Sequence, residues 1–233
     1  MYSIVPLAGP DFILPNGSLK PLFKIDGISL IEKALKSRFW FQNGELETKD
    51  LIFILRDTER TPDFKAFLEK TFIDCKTLVI SNITKGALLS SLAGCALIDN
   101  YNKPVCVDLV DIIYDCSSSP QELFKKNSDL SGIIPYFKSD NPKFSYLTIE
   151  NEMVQQTVEK KVISNNASAG TYFFKDLPTF LRAASGSLKV NEILSYKGNM
   201  FLCPSYNPLI LNGEKIVPFE VSGVISLSEI FHS

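Results

Sequence analysis

The sequence of 233 residues is long enough for one domain with a sizeable core, and its 45% hydrophobic and 21% charged residues are ordinary for a folded protein. A formal net charge of −2 gives no positive field for a nucleic acid or an anionic membrane, so we expect neither as a partner. No apolar run approaches the ~20 residues that span a bilayer, and none precedes the first strand-like segment, so we expect no membrane span and no secretory signal.

The cysteine and histidine content limits the chemistry that is open to this chain. The five cysteines have no C-x-x-C spacing, and we expect them to be reduced and mostly buried in a cytoplasmic protein. The single histidine, His232, is the penultimate residue, where we expect it to be solvated. A chain without an internal histidine is a poor candidate for Ser-His-Asp or Cys-His catalysis and for most catalytic zinc sites.

The first half of the chain alternates short apolar runs with amphipathic segments. Strands are predicted at 3–7, 51–55, 77–80 and 105–107, and helices at 30–39 (with Ser29 as its cap), 62–72 and 86–98. Five residues are expected on buried strands: Val5, Ile52, Ile54, Val79 and Val107. This alternation predicts a mainly parallel sheet that is covered by helices on both faces.

The second half of the chain is richer in strand-like segments. Strands are predicted at 130–137, 145–149, 154–158 and 169–174, with a hairpin tip at Asn151-Glu152, and a helix at 177–184 that ends at the Ser/Gly-rich residues 185–187. No linker with a clear shift in composition separates the halves. We therefore expect one α/β domain with a mixed sheet in its second half.

Ligands bind beyond the carboxyl ends of the strands in a sheet of this class, and four polar segments lie there. The first, residues 8–22, contains Gly9 and Lys20, which could surround phosphates with backbone N–H groups and one cation. A surface loop with a solvated lysine is the alternative. The second contains Thr84 and Gly86 at a helix start, which could face an anion or form an ordinary N-cap.

The other two segments carry carboxylates. Asp108 and Asp111 follow a strand and could hold Mg²⁺ against a triphosphate, although turn aspartates are also common there. Glu159 and Lys160 precede the segment 166–174; a glutamate can accept hydrogen bonds from sugar hydroxyls, and a lysine can pair with phosphate. A solvated run of charges is the alternative for that pair.

Short motifs connect these segments along the chain. They are Lys20-Pro21-Leu22, Ile25-Asp26-Gly27, Ile31-Glu32, Ile163-Ser164-Asn165-Asn166-Ala167 followed by Gly170-x-Tyr172, and Pro204-Ser205-Tyr206-Asn207. In this order and spacing they resemble the sugar-phosphate nucleotidyltransferase family, especially the branch found in capsular polysaccharide clusters and sometimes labelled a family 2 glycosyltransferase. The resemblance covers nearly the whole chain, from Ile4 to about Ile230.

The resemblance implies a GT-A-like three-layer α/β/α sandwich with a central mixed, mostly parallel sheet. Residues 1–115 would form the nucleotide-binding half and residues 116–233 the sugar-phosphate-binding half of a single domain. The implied reaction transfers a nucleotidyl group from an NTP to a sugar 1-phosphate or related phosphate, with release of pyrophosphate, for surface polysaccharide precursors. Apart from the resemblance, a homodimer stays open as a partner arrangement.

The resemblance also implies how the nucleotide would be held. Ala8 and Gly9 would approach it through their backbone, and Thr84 and Gly86 would lie beside the base. Lys20 would contact the α-phosphate region and is the main candidate for stabilising the charge that develops there.

The remaining implied roles concern the metal and the second substrate. Asp111 would bind Mg²⁺ and complete the catalytic pair with Lys20. Glu159 and Lys160 would contact the sugar phosphate, and Asn166 and Gly170 would line the sugar pocket.

Two segments depart from the family pattern. The family's phosphate loop usually reads L-A-G-x-G-x-R, whereas here residues 7–9 continue as Pro10-Asp11-Phe12, without the second glycine and the arginine. Residues 222–230 also differ from the family's F-G-T-P-E-D-L pattern. Two alternatives therefore stay open: a non-catalytic relative that binds a nucleotide or sugar phosphate, and a GT-A-fold glycosyltransferase, for which Asp108-x-x-Asp111 is one residue longer than the usual D-x-D motif.

Overall fold

The computed structural model describes residues 1–226; the predicted solvation of His232 concerns a residue outside this range. The strands in the described range are β1 (Tyr2–Leu7), β2 (Lys24–Ile25), β3 (Ile28–Ser29), β4 (Leu51–Arg56), β5 (Lys76–Ile80), β6 (Val105–Asp108), β7 (Ile112–Asp115), β8 (Leu130–Lys138), β9 (Tyr146–Glu150), β10 (Met153–Val158), β11 (Asn166–Ser168), β12 (Thr171–Phe174), β13 (Lys215–Glu220) and β14 (Ser222–Ser226). The helices are α1 (Leu30–Ser37), α2 (Phe39–Gln42), α3 (Thr61–Thr71), α4 (Ala87–Gly94), α5 (Pro120–Lys126), α6 (Leu177–Lys189), α7 (Asn191–Leu194) and α8 (Asn207–Leu211).

A ten-stranded mixed sheet forms the centre of the molecule. Its strand order is β10-β9-β11-β8-β12-β6-β1-β4-β5, and β13 pairs with β8 in parallel. The pairs β1–β4, β1–β6 and β4–β5 are parallel, whereas β12 is antiparallel to both β6 and β8. Only β10, β11 and β12 run against the other strands of this sheet, so the predicted mixed, mostly parallel sheet is confirmed.

Alternate side chains along the strands divide the core between two faces of the sheet. Val5 and Phe53 pack with residues of α1, α3 and α5 on one face. Ile4 and Ile52 pack with residues of α4, α6 and α8 on the other. Because successive residues of a strand point to opposite faces, the continuous apolar runs of β1 and β4 fill both layers. The expected α/β/α sandwich is therefore confirmed.

Four of the five residues that were expected on buried strands are fully buried, but the prediction for Val79 is wrong. Val79 is 45% exposed because β5 is the edge strand and pairs only with β4. The cysteines also differ from expectation. All five are free thiols, but only Cys106 and Cys203 are buried.

The end of the helix that was predicted at 177–184 is wrong, since α6 continues through the Ser/Gly-rich residues 185–187 to Lys189. Ser187 Oγ donates a hydrogen bond to the Ala183 carbonyl at 2.8 Å, which keeps its hydroxyl within the helix. Gly186 faces Pro208, where an added Cβ would lie 2.5 Å from the proline Cβ. The small residues therefore allow close packing of α6 on α8.

Three smaller expectations also need correction, and one is confirmed. The segment 86–98, which was expected to be one helix, forms α4 and then a 3-10 turn. The strand that was expected over 169–174 begins only at Thr171. Ser29 precedes α1 but makes no capping hydrogen bond through its side chain. Asn151 and Glu152, both with positive φ, form the expected hairpin tip. No helix within residues 1–226 has the length and apolar character needed to cross a membrane.

Gly132 on β8 provides a test of how tightly the second layer is packed. A Cβ at this position would overlap the Tyr206 ring, which is fixed by a 2.8 Å hydrogen bond from its hydroxyl to the Phe173 carbonyl. Overpacking a rigid core commonly costs about 1–3 kcal/mol, so we expect Gly132→Ala to lower the free energy of unfolding by this amount in urea denaturation.

Gly94→Ala is the matched control for this substitution. Its added Cβ would lie 3.0 Å from Ile4 Cγ2 and 3.2 Å from Ile54 Cδ1, a less severe approach than the overlap with the Tyr206 ring at Gly132, and alanine has a higher helix propensity. We expect a change within about 1 kcal/mol of zero. Equal losses in the two variants would contradict this account of the packing.

Candidate active site

Lys20 lies between two carboxylates at the edge where β1 and β6 end. Its Nζ is 2.7 Å from Asp11 Oδ2 and 2.8 Å from Asp111 Oδ1. Asp11 belongs to the loop after β1, and Asp111 belongs to the loop after β6. Because β1 and β6 are adjacent and parallel, their following loops lie at the same edge of the sheet. The structure thus brings together Lys20 and Asp111, the two predicted catalytic residues, and adds Asp11.

The surroundings of these three groups alter their protonation in different directions. Burial raises the pKa of Asp111, although the charge of Lys20 opposes this change. Burial acts against the charge on Lys20, but the charges of Asp111 and Asp11 raise the pKa of Lys20 above its usual value. Burial also acts against the charge on Asp11, yet the ion pair and hydrogen bond with Lys20 hold the pKa of Asp11 below its usual value. Lys20 therefore stays protonated, and its charge is compensated by carboxylates.

The loop after β1 is fixed by its aromatic residue. Residues Pro10–Phe12 form a 3-10 turn, and the buried Phe12 ring packs edge-on against Phe64 at a centroid distance of 5.2 Å. This anchor directs Asp11 back over the backbone, where Asp11 Oδ1 would be only 2.7 Å from a Cβ at Gly9. The backbone of Ala8 and Gly9, to which the resemblance assigns nucleotide contacts, therefore adjoins a carboxylate.

Asp108, the other carboxylate that follows β6, is occupied by a buried arginine. Arg38 Nε donates to Asp108 Oδ2 at 2.8 Å and Arg38 Nη2 donates to Asp108 Oδ1 at 3.0 Å. Both side chains are almost completely buried. Asp108 is therefore not open to a metal ion, and Asp111 is the accessible carboxylate of this loop.

Lys160 is held beside two aromatic rings. It follows β10 with a positive φ of 51°, and its Nζ lies 5.5 Å from the Tyr196 ring centroid and 5.3 Å from that of Phe201. Its positive charge also contributes, less than that of Lys20, to holding the pKa of Asp11 below its usual value. A cavity of about 470 Å³ borders Lys160, Tyr196 and Asn207.

The neighbouring Glu159 faces the interior of the second half. Burial raises the pKa of Glu159, and this is opposed by a hydrogen bond from the Ser145 hydroxyl. Just before it, Asn207 clamps the end of β10: the Thr157 amide donates to Asn207 Oδ1 at 2.9 Å, and Asn207 Nδ2 donates to the Thr157 carbonyl at 2.8 Å. The motif 204–207 thus fixes the end of the strand that Glu159 and Lys160 follow.

Thr84 and Gly86 are covered by a neighbouring segment. The Met200 amide donates to the Lys85 carbonyl at 2.8 Å, and an added Cβ at Gly86 would overlap the Met200 backbone. The Thr84 hydroxyl is hydrogen-bonded to Ser90 Oγ at 2.6 Å. Since Met200 precedes Phe201, this segment links the start of α4 to Lys160.

Gly170 and Asn166 differ in how they relate to the edge of the sheet. The Gly170 carbonyl accepts from the Leu109 amide at 3.0 Å, so Gly170 adjoins the loop that carries Asp111. Asn166 is buried; its Oδ1 accepts from Lys138 Nζ at 2.7 Å and its Nδ2 donates to the Leu147 carbonyl at 3.3 Å. Both ends of this amide serve the sheet, so a role for Asn166 in a sugar pocket stays a prediction.

Sequence reasoning missed Arg38, Tyr196 and Phe201. Arg38 lies 70 residues from its partner Asp108, and no local pattern connects them. The aromatic residues beside Lys160 lie near no predicted strand end, although Phe201 lies close to the motif 204–207 and an aromatic pair in a polar segment is a weak signal of a cation site.

Two carboxylates at this edge are oxygen donors of the kind that Mg²⁺ prefers. Within residues 1–226, no three His, Cys, Asp or Glu side chains are grouped so as to hold a metal. Mg²⁺ is usually held by one or two carboxylates, with substrate phosphates and water completing its coordination. Asp11 and Asp111 converge on one ammonium group, so two carboxylates fit such a site, and a metal ion would compete with Lys20 for them.

Comparison with known proteins shows the fold. No family model matches the chain. No curated protein matches it either. Solved structures are similar over nearly the whole chain. A nucleoside-diphosphate-sugar pyrophosphorylase from Vibrio cholerae RC9 has a TM-score of 0.80 at 21% identity, covering 97% of this chain and 95% of that one.

Two further structures share this architecture. A putative glucose-1-phosphate thymidylyltransferase from Bacillus anthracis has a TM-score of 0.73 at 17% identity, covering 97% of this chain and 89% of that one. The inositol-1-phosphate CTP transferase from T. maritima has a TM-score of 0.66 at 13% identity, covering 96% and 86%.

The raised pKa of Glu159 predicts a change in the pH dependence of stability. A carboxyl group whose pKa in the folded state exceeds its usual value of 4.5 stabilises the fold when protonated, and this contribution is lost as pH rises through the raised pKa. Glu159→Gln stays neutral, so we expect its free energy of unfolding, relative to the unsubstituted protein, to increase from acidic to neutral pH.

Urea denaturation across this pH range measures the effect, and Glu150→Gln is the control because Glu150 is exposed at the end of β9. A difference for Glu159→Gln that stays constant with pH, or that falls as pH rises, would contradict the assigned burial.

Proposed function

We propose that this chain transfers a nucleotidyl group from an NTP to a sugar 1-phosphate or a related phosphate and releases pyrophosphate. The observation that carries the proposal is the meeting of Lys20 with Asp11 and Asp111 where β1 and β6 end. Ligands bind at this edge in open α/β sheets. The fold supports it, because structures similar over nearly the whole chain are named as a pyrophosphorylase, a thymidylyltransferase and a CTP transferase.

The proposed reaction needs no nucleophile from the protein. An oxygen of the sugar phosphate attacks the α-phosphorus of the NTP; the new P–O bond forms as the bond to the β-phosphate oxygen breaks, and pyrophosphate leaves with that electron pair. Lys20 stabilises negative charge on the α-phosphate, and Asp111 would hold Mg²⁺. When bound, Mg²⁺ would supply positive charge to the triphosphate oxygens.

Lys160 and Glu159 are proposed to orient the second substrate. Lys160 is exposed, and its ammonium lies near the Tyr196 and Phe201 rings beside the cavity described above, where it can pair with a phosphate. Glu159 would accept a hydrogen bond from a sugar hydroxyl. The link to surface polysaccharide precursors rests on the resemblance of motifs such as 163–167 and stays a prediction.

One observation favours a second candidate, a relative that binds a nucleotide or sugar phosphate without turning it over. Lys20 is the cation of the loop after β1, and it is already compensated by two carboxylates. An incoming triphosphate must displace at least one of them or arrive with a metal ion. If neither occurs, binding is weak and no charge is stabilised at the α-phosphate.

A pyrophosphate-release assay separates the two candidates. The protein is incubated with Mg²⁺, each of the common NTPs, and a panel of sugar 1-phosphates and related phosphates. Release that requires both an NTP and one phosphate acceptor supports nucleotidyl transfer. Saturable binding of an NTP without release for any pair supports the binding relative.

Substitutions at Lys20 and Asp11 test the role of the compensated lysine. Removing a charge-assisted contact to a developing oxyanion commonly costs about 10²–10³ in rate, so we expect this loss of kcat for Lys20→Ala. Asp11→Ala is expected to keep or raise kcat, since it frees Lys20 from one carboxylate. Lys24→Ala, an exposed lysine on β2, is the control.

The Asp11 variant also decides how the loop after β1 works. A large loss of kcat in Asp11→Ala, together with a weaker dependence on Mg²⁺, would contradict the assigned repulsion and assign the metal to Asp11 as well as Asp111.

Substitutions at the adjacent residues Lys160 and Lys161 test how the second substrate is bound. A hydrogen bond to a charged group commonly contributes about 1.5–3 kcal/mol, so we expect Lys160→Ala to raise KM for the phosphate acceptor roughly 10–100-fold while KM for the NTP stays the same. Lys161→Ala, at the exposed neighbouring position, is the control. Steady-state kinetics measure both constants, and equal effects of the two substitutions would contradict the role of Lys160.

A further inference from the structure

The loop that carries Asp111 contains a strained residue. Val110 has a φ of 53°, in the left-handed region, although it is β-branched and not a glycine. β-branched residues rarely adopt this conformation because their side chain crowds the backbone. The Val110 side chain is also buried, at 2% exposure. Other contacts must therefore hold this turn.

The contacts come from a buried ion pair. The Val110 amide donates to Asp108 Oδ1 at 2.9 Å, so the carboxylate before the turn binds the strained residue. Arg38 holds the same carboxylate through Nε and Nη2, and its Nη2 also donates to the Ile112 carbonyl at 2.9 Å, after the turn. Arg38 and Asp108 thus close the turn 108–112 from both ends.

Arg38 is itself held in place. It is fully buried at the end of α1, and its guanidinium carbon lies 4.0 Å from the centroid of the Tyr114 ring. The Tyr114 hydroxyl shares a 2.7 Å hydrogen bond with Thr171 Oγ1 on β12. The position of the turn is therefore tied to α1, to β7 and, through Tyr114, to the sheet.

The turn presents a single accessible carboxylate. The Asp111 side chain is 46% exposed, whereas that of Asp108 is 1% exposed, and Asp111 contacts Lys20 at 2.8 Å. We propose that Arg38 and Asp108 are positioning residues, which hold the strained Val110 turn so that Asp111 meets Lys20. Neither touches a substrate. The expected change in kcat rests on the proposed function, whereas the expected change in the Lys20–Asp111 distance does not.

A purely stabilising ion pair and a positioning pair differ in the effect of replacing both residues with apolar ones. Buried ion pairs can often be exchanged for apolar residues of similar size without loss of stability, because removing both charges also removes their desolvation cost. The variant Arg38→Met with Asp108→Leu makes this exchange and removes the hydrogen bonds that hold Val110 and Ile112. A stabilising pair would leave the site intact, whereas a positioning pair would not.

Three measurements on this double variant test the proposal. We expect urea denaturation to show a cooperative fold, and a crystal structure to show the Asp111 carboxylate more than 4 Å from Lys20 Nζ, outside ion-pair distance. We expect kcat for pyrophosphate release to fall roughly 10²-fold. A variant that keeps the Lys20–Asp111 contact, with kcat within threefold of the unsubstituted protein, would overturn the proposal.

A glycine provides the rescue. Glycine adopts a positive φ without steric cost, so adding Val110→Gly to the double variant relieves the strain that the ion pair opposes. We expect the Lys20–Asp111 contact to return and at least tenfold of the lost kcat to be recovered. A contact that stays lost would contradict the part assigned to Val110.

Two further outcomes are covered by this design. If the unsubstituted protein releases no pyrophosphate, the proposed function fails, while the crystallographic comparison still decides the role of the pair. If the double variant does not fold, Arg38→Lys takes its place, because a single nitrogen cannot bind Asp108 in a fork and also reach the Ile112 carbonyl. An unchanged Asp111 position in Arg38→Lys would overturn the proposal.

Discussion

The ammonium group of Lys20 lies between two carboxylates that follow neighbouring parallel strands, and the candidate site depends on this arrangement. Parallel pairing of β1 with β6 brings Asp11 and Asp111 to one edge of the sheet. The ion pairs at this edge therefore join one ammonium group to two carboxylates. An anionic ligand meets a cation whose charge is already compensated, and a divalent cation arriving with the ligand would favour binding.

The second half of the chain supports this edge from one side. Thr157 on β10 is clamped by Asn207, and Tyr206 is fixed on the Phe173 carbonyl of β12. The same segment of chain, through Met200, covers Gly86 at the start of α4. Residues 200–207 thus connect the start of α4 with the end of β10, the strand that Glu159 and Lys160 follow.

The sequence predicted the elements that are defined by local patterns. Apolar runs identified β1 and β4 because both faces of these strands are buried. It missed β13, whose run contains Pro218, a residue that argues against a strand unless the strand lies at an edge, as β13 does beside β8. It also overestimated the burial of Val79, since only the strand order shows that β5 is an edge. Lys20 and Asp111 were found from strand ends, whereas the pairing of Arg38 with Asp108 required the fold.

The most direct test of the central claim is a crystal structure of the chain with Mg²⁺ and a non-hydrolysable NTP analogue. The account predicts the triphosphate at the edge formed by the loops after β1 and β6, with Lys20 Nζ within hydrogen-bonding distance of an α-phosphate oxygen and displaced from at least one of its two carboxylates. A nucleotide bound elsewhere, or a triphosphate that leaves both ion pairs of Lys20 unchanged, would contradict it.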